Sequence, residues 1–104
     1  MSDPKAPLSE TEIDEAGLAG WRRSGDALVA RFRSKTFAAG LELVNRIGAA
    51  AEAANHHPDV TLTYGAVEVR LSSHDVGAIT IRDVRLAREI SDQADSMRIA
   101  VTDP

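Results

Sequence analysis

No cysteine occurs among the 104 residues, which removes disulfides, thiolate metal ligands and cysteine nucleophiles together and fits a reducing compartment. Aromatic side chains are scarce, one Trp, one Tyr and two Phe, so any core is built from Leu, Ile, Val and Ala. No run of about 18 apolar residues is present, and Met1-Ser2-Asp3-Pro4-Lys5-Ala6-Pro7 has no apolar stretch to serve as a signal peptide. A cytoplasmic location with no membrane contact is expected. Positive charge is in deficit, with a net charge of −4, so the protein as a whole repels nucleic acid, and no nucleic-acid partner is expected. The local cluster Arg22, Arg23, Arg31, Arg33 and Lys35 reads as the wet face of a sheet.

What is there is an ordinary globular composition, 43% hydrophobic and 27% charged. A chain of this length holds one core and has no room for a separate cofactor domain. Folding alone buries only about 60 to 65% of the unfolded surface, which makes subunit association an expected source of further burial. Residues 1–7 read as a flexible lead-in, 8–97 as the domain, and 98–104 as a tail from which Ile99 and Val101 could dock on a sheet.

Ser9 with Glu12 three residues later forms a capping box for a short helix over about 10–16. Trp21-Arg22-Arg23, Ser24-Gly25-Asp26 and Ala27 to Arg33 read as strand, turn, strand. Ser34 is placed to cap a long helix over 35–55, with Phe37, Leu41, Val44, Ile47, Gly48 and Ala51 as its apolar stripe and Pro58 as its stop. Val60, Leu62 and Tyr64 alternate with threonines, and Val67, Val69 and Leu71 alternate with polar residues beyond a Gly65-Ala66 turn, which makes a second hairpin. Thr80 and Asp83 open a last helix carrying Val84, Ala87, Ile90 and Ala94. The order α-β-β-α-β-β-α predicts an α+β fold, a four-stranded antiparallel sheet with helices packed on one face.

All three histidines fall between positions 56 and 74. His56 and His57 stand where the long helix meets Pro58, which by itself describes a polar helix end facing water. Glu52 precedes His56 by four residues, a spacing that on a helix lets one side chain orient the other. His74 leaves the second hairpin in Ser72-Ser73-His74-Asp75, and Asp83 sits in the first turn of the last helix, where a carboxylate also serves as plain helix stabilisation. Each local reading is bland. Together they leave unexplained why every histidine and two acids bracket one hairpin. Three histidines and a carboxylate could hold zinc, but neighbouring residues seldom point at one ion, so no metal is expected.

Glu52, His56-His57-Pro58, Tyr64, His74 and Asp83 have the spacing of the pterin-4a-carbinolamine dehydratase motif, and the chain resembles that family from about Leu8 to Ala94. Gly20-Trp21, Phe32 and Phe37 around Ser34-Lys35, and His74-Asp75-Val76-Gly77 also look like the family. It departs from the pattern at Gly77-Ala78-Ile79, where Gly-Gly-Leu is frequent, and at Leu43, where an aromatic is frequent. The resemblance implies loss of water from a 4a-hydroxytetrahydropterin in tetrahydrobiopterin-type recycling, with no cofactor because the pterin is the substrate, and a homodimer or homotetramer. It implies catalytic roles for His56, His57 and His74, and orienting or binding roles for Glu52, Pro58 and Asp83. His56 and His74 are expected as the acid/base pair, with His57 holding the pterin, Glu52 orienting His56 and Asp83 orienting His74. Some animal relatives also serve as dimerisation partners of a homeodomain transcription factor, so a non-catalytic interaction module is the alternative.

Overall fold

The structure is a computed structural model that describes residues 3–102. Its elements are α1 (Glu10–Glu15), β1 (Arg22–Ser24), β2 (Ala27–Arg33), α2 (Phe37–Ala54), β3 (Asp59–Thr63), β4 (Ala66–Leu71), α3 (Ile81–Ser96) and β5 (Ala100–Thr102). The expected order is present, with one strand added. All strand pairs are antiparallel, in the order β1-β2-β4-β3, and β5 joins β2. The sheet therefore has five strands rather than four. The fifth comes from the segment expected as a tail, and Ile99 is buried there.

Alternation decides which face the helices cover. Leu28, Ala30 and Phe32 on β2 and Val67, Val69 and Leu71 on β4 are buried, in one cluster with Leu43, Ile47 and Ala51 of α2 and Val84, Ala87, Ile90 and Ala94 of α3. Between them Arg31, Arg33, Glu68 and Arg70 are exposed, so Arg31 and Arg33 occupy a wet sheet face with Arg22, which lies opposite Val29; Arg23, opposite Leu28, instead pairs with Glu10 of α1, and Lys35 lies beyond the strand. Trp21 closes one end of the core, its ring edge-on to Phe32 with centroids 6.0 Å apart and its indole N–H donating to Ser91 Oγ at 2.8 Å. Removing an aromatic side chain from such a site costs about 3 to 5 kcal/mol.

Two capping boxes lie where the sequence puts them, Ser9 with Glu12 on α1 and Thr80 with Asp83 on α3. The long helix differs at its start. Ser34 and Lys35 both turn their N–H groups to the Gly65 carbonyl, Lys35 takes a left-handed φ of 69°, and the helix begins only after Thr36, whose Oγ1 accepts from Ala39 N. Tied to the β3–β4 turn, Ser34 cannot serve as the cap.

The apolar stripe of α2 also differs. Its buried residues are Gly40, Leu43, Ile47 and Ala51. Phe37 and Leu41 are 48% and 45% exposed, and Gly48 is exposed. The reason is Gly40: a Cβ there would come within 2.8 Å of Leu62 Cδ1, so the helix lies close on β3 and turns Phe37 and Leu41 outward. Tyr64, 73% exposed, belongs to the turn and not to the strand face. Of the expected lead-in, Met1 and Ser2 lie outside the described residues, and residue 8 is already fixed by Leu8 N–H donating to the Ile79 carbonyl. No helix among the described residues is long and apolar enough to cross a membrane.

Candidate active site

The C-terminus of α2, the exit of β4 and the N-terminus of α3 meet at one end of the sheet. Asn55 stops α2 in the left-handed conformation (φ 51°), which asparagine tolerates. The next N–H, that of His56, folds back to the Ala51 carbonyl. His56 has therefore left the helix, and the four-residue spacing from Glu52 no longer puts the two on one face.

The partners are accordingly exchanged relative to expectation. Glu52 pairs with His57 through Nε2, on an exposed edge. His56 Nε2 instead meets Asp83 Oδ1 at 2.5 Å, with the His56 side chain 10% exposed and that of Asp83 fully buried. Asp83 is thus the partner of His56 and not of His74. Pro58 is half-buried and joins the two histidines to the start of β3.

A buried carboxylate is tolerated only where donors replace water. Asp83 Oδ2 accepts from Ser73 Oγ at 2.8 Å and from Thr80 N at 2.9 Å, leaving Oδ1 for His56. Ser73 and Thr80 are fully buried, and their hydroxyl oxygens lie 2.8 Å apart. Ser73 is fixed by backbone as well: its N–H donates to the Ala78 carbonyl at 3.0 Å, and its own carbonyl accepts from Val76 and Gly77. That tight loop carries His74, which is exposed and makes no side-chain hydrogen bond to the described residues. The structure thus brings His56, His57, Glu52 and Asp83 into two pairs and places His74 next in sequence to the serine that holds Asp83. Tyr64, at the far end of β3, is about 16 Å away along the strand.

Asp75 grips Arg82 with both oxygens, at 3.2 and 2.8 Å. The hydrogen bond from Arg82 holds the Asp75 carboxyl below its ordinary value, and the same bond raises Arg82. Arg82 continues to Thr80, whose Oγ1 accepts from Arg82 N and Nε. Beside His56 opens a cleft of about 430 Å³, walled by Ala50, Ala53, Arg82, Arg85, Leu86 and Glu89 among others. Among the described residues no three His, Asp or Glu side chains converge as a metal site requires.

Sequence reasoning missed Ser73, Thr80 as more than a cap, and the two arginines of the cleft. The capping-box spacing of Thr80 and Asp83 was the available signal, since it fixes one carboxylate oxygen and leaves the other without an assigned partner.

The family profile described as pterin 4 alpha carbinolamine dehydratase matches residues 6–93. A protein of Thermomicrobium roseum, provisionally named a pterin-4-alpha-carbinolamine dehydratase, is 44% identical over 89 residues, spanning 79% of this chain and 96% of the relative. One of Thermosynechococcus vestitus with the same provisional name is 42% identical over 94 residues, spanning 90% of this chain and 98% of its own. The crystal structure of a transcriptional coactivator/pterin dehydratase from Brucella melitensis superposes with a TM-score of 0.82 at 29% identity, covering 86% of this chain and 99% of that one. A pterin dehydratase-like protein identified as a RuBisCO assembly factor in the alpha-carboxysome shares the fold, with a TM-score of 0.59 at 16% identity, over 71% of this chain and 86% of that one. With the profile running from before the first helix to within three residues of the last helix's end, and its motif histidines gathered at one end of the sheet, the chain belongs to the pterin-4a-carbinolamine dehydratase family.

Proposed function

We propose that the protein removes water from a 4a-hydroxytetrahydropterin to give the quinonoid dihydropterin, by proton transfer between histidines and the substrate, in the recycling of a tetrahydrobiopterin-type cofactor. The C4a–O bond breaks and takes up a proton to leave as water, N5 gives up its proton, and the C4a–N5 double bond forms. The elimination is redox-neutral. It needs one proton donor and one acceptor, and histidine, with an ordinary pKa of about 6.5, suits both tasks at neutral pH.

The observation that carries this reading is the His56–Asp83 pair, a ring held by a buried carboxylate beside an open cleft. A histidine so held keeps one nitrogen for its partner and one for a reactant. His56 and His74 are the proposed acid/base pair, with His57, steadied by Glu52, contacting the pterin and Pro58 setting the path between them. Two such groups, each contributing about 10²- to 10⁴-fold, suffice for a reaction already feasible in water. We place the protein in the cytoplasm as a homodimer or homotetramer, a state supported by the exposed apolar pair Phe37 and Leu41 on α2.

The test is the loss of 4a-hydroxytetrahydropterin with wild type, His56→Ala and His74→Ala. Each variant is expected to lose at least about 10²-fold in turnover while remaining folded by circular dichroism. Near-normal rates in both would favour the second reading, a non-catalytic interaction module. That reading is supported by the word coactivator in the name of the Brucella structure and by the same exposed pair on α2.

A further inference from the structure

The buried hydroxyls behind Asp83 have a direction. A hydroxyl has one proton to give, and an ionised carboxylate has none. The Ser73 hydroxyl donates to Asp83 Oδ2 across 2.8 Å, the oxygen that also accepts the Thr80 N–H at 2.9 Å. With that proton committed, the 2.8 Å contact between Ser73 and Thr80 can be made only by the Thr80 proton pointing at Ser73 Oγ. Thr80 Oγ1 in turn accepts two N–H groups of Arg82. Every proton in the run from Arg82 through Thr80 and Ser73 to Asp83 therefore points toward the carboxylate. With Asp83 ionised, Oδ1 has only a lone pair to offer His56, and the contact at 2.5 Å then puts the proton on His56 Nε2.

We infer that Ser73 is a positioning residue: with Thr80 it fixes the Asp83 carboxylate as an acceptor, sets neutral His56 in the Nε2–H tautomer, and thereby makes Nδ1 the atom that exchanges protons with substrate. Nδ1 suits that role. It makes no hydrogen bond to the described residues, and it is not among the buried polar atoms that lack a partner, of which Ser34 Oγ alone is found there; it therefore reaches solvent, on a residue that lines the cleft. Because Nδ1 is bare in the neutral ring, His56 first takes a proton, and it becomes a donor only after charging. This assigns it the base step at N5, leaving donation to the C4a hydroxyl to a different group.

The kinetic part of this inference rests on the dehydratase reading; the tautomer is a property of the free protein. The experiment is nitrogen-15 NMR of the His56 ring at about pH 8, above the ordinary histidine range, in wild type, Ser73→Ala and Ser73→Thr, together with steady-state dehydratase kinetics. Wild type and Ser73→Thr are expected to show Nε2–H alone. Ser73→Ala is expected to show a mixture of tautomers and a kcat lower by about 10- to 100-fold, the effect of one hydrogen bond to a charged group, with KM unchanged. A wild-type ring in the Nδ1–H form overturns the inference whether or not any variant folds. A folded Ser73→Ala protein with an unaltered tautomer and kcat also overturns it. If the wild type proves inactive while the tautomer follows Ser73 as stated, the dehydratase reading fails and the positioning role stands.

Discussion

Asp83 meets His56 at 2.5 Å although 27 residues separate them in the chain, and this contact ties the start of α3 to the end of α2. Among the described residues it is the one histidine ion pair that is shielded from water, since the pairing of His57 with Glu52 is exposed on both sides. Shielding is what separates a contact that governs chemistry from one that decorates a surface.

Asp83→Asn keeps the shape of the side chain and removes its charge. It is expected to lower turnover by at least about 10²-fold, because an amide can present N–H where His56 needs an acceptor. The capping box weakens as well, at about 1 kcal/mol. Steady-state kinetics beside a urea melt separate the two effects, and a variant with wild-type turnover would refute the role given to Asp83.

Glu52→Gln is expected to behave differently. Its partner His57 is exposed, so stability should move by no more than about 0.5 kcal/mol, and turnover should fall far less than in Asp83→Asn. Parallel assays of the two variants check this. A larger loss in Glu52→Gln would restore the sequence-based pairing of Glu52 with His56.

The Asp75–Arg82 pair has a defined pH signature. The Asp75 carboxyl is depressed below 3.8 in the folded protein, chiefly by the Arg82 hydrogen bond. A depressed carboxylate stabilises the fold above its unfolded pKa, and that contribution disappears as pH falls through the folded value. Wild type and Asp75→Asn should therefore differ in Tm near neutrality, and the difference should shrink as pH falls below 3.8 through the lowered folded value. Thermal melts across that range measure it, and a difference that persists undiminished in acid would contradict it.

Turnover should survive exhaustive chelation, because the proposed transfers need only histidine protons. The measurement is the pterin assay before and after dialysis against a chelator. Activity lost on dialysis and restored by zinc would replace the proton-transfer scheme with metal-assisted chemistry.

Light scattering at micromolar concentration should give the mass of a dimer or tetramer, and Leu41→Glu should reduce it. Leu41 is 45% exposed, beside Phe37, on a helix whose buried stripe runs elsewhere. A monomeric wild type would remove this account of the exposed pair.

Local signals carried much of the fold. Both capping boxes, both hairpins and all three helices follow from spacings of two to four residues, which a sequence displays directly. What was illegible depended on contacts between distant segments. The Gly65 carbonyl, 31 residues beyond Ser34, is what denies Ser34 the cap. Close approach at Gly40 decides which of two adjacent apolar stripes on α2 is buried. At the site, the identities of His56, His57, Glu52 and Asp83 were readable from the motif, but their pairing was not, because one left-handed residue, Asn55, cancels the helical spacing on which the expected pairing depended.

The two short strands on the outer flank of β2 imply an order of assembly during synthesis. β1 can pair with Ala27–Val29 once those residues have followed the Gly25 turn, because the hairpin is local. The other half of that flank, Arg31 to Arg33, waits for Ala100–Thr102, and the Thr102 hydroxyl donates to a carbonyl 71 residues earlier. Until those residues leave the ribosome, the socket at Gly20, where any Cβ would lie 2.4 Å from the Val101 methyls, stays empty. β5, the last of the described elements in chain order, thus acts as a latch on the sheet, and until it docks half of the outer flank of β2 lies open as an unpaired strand edge.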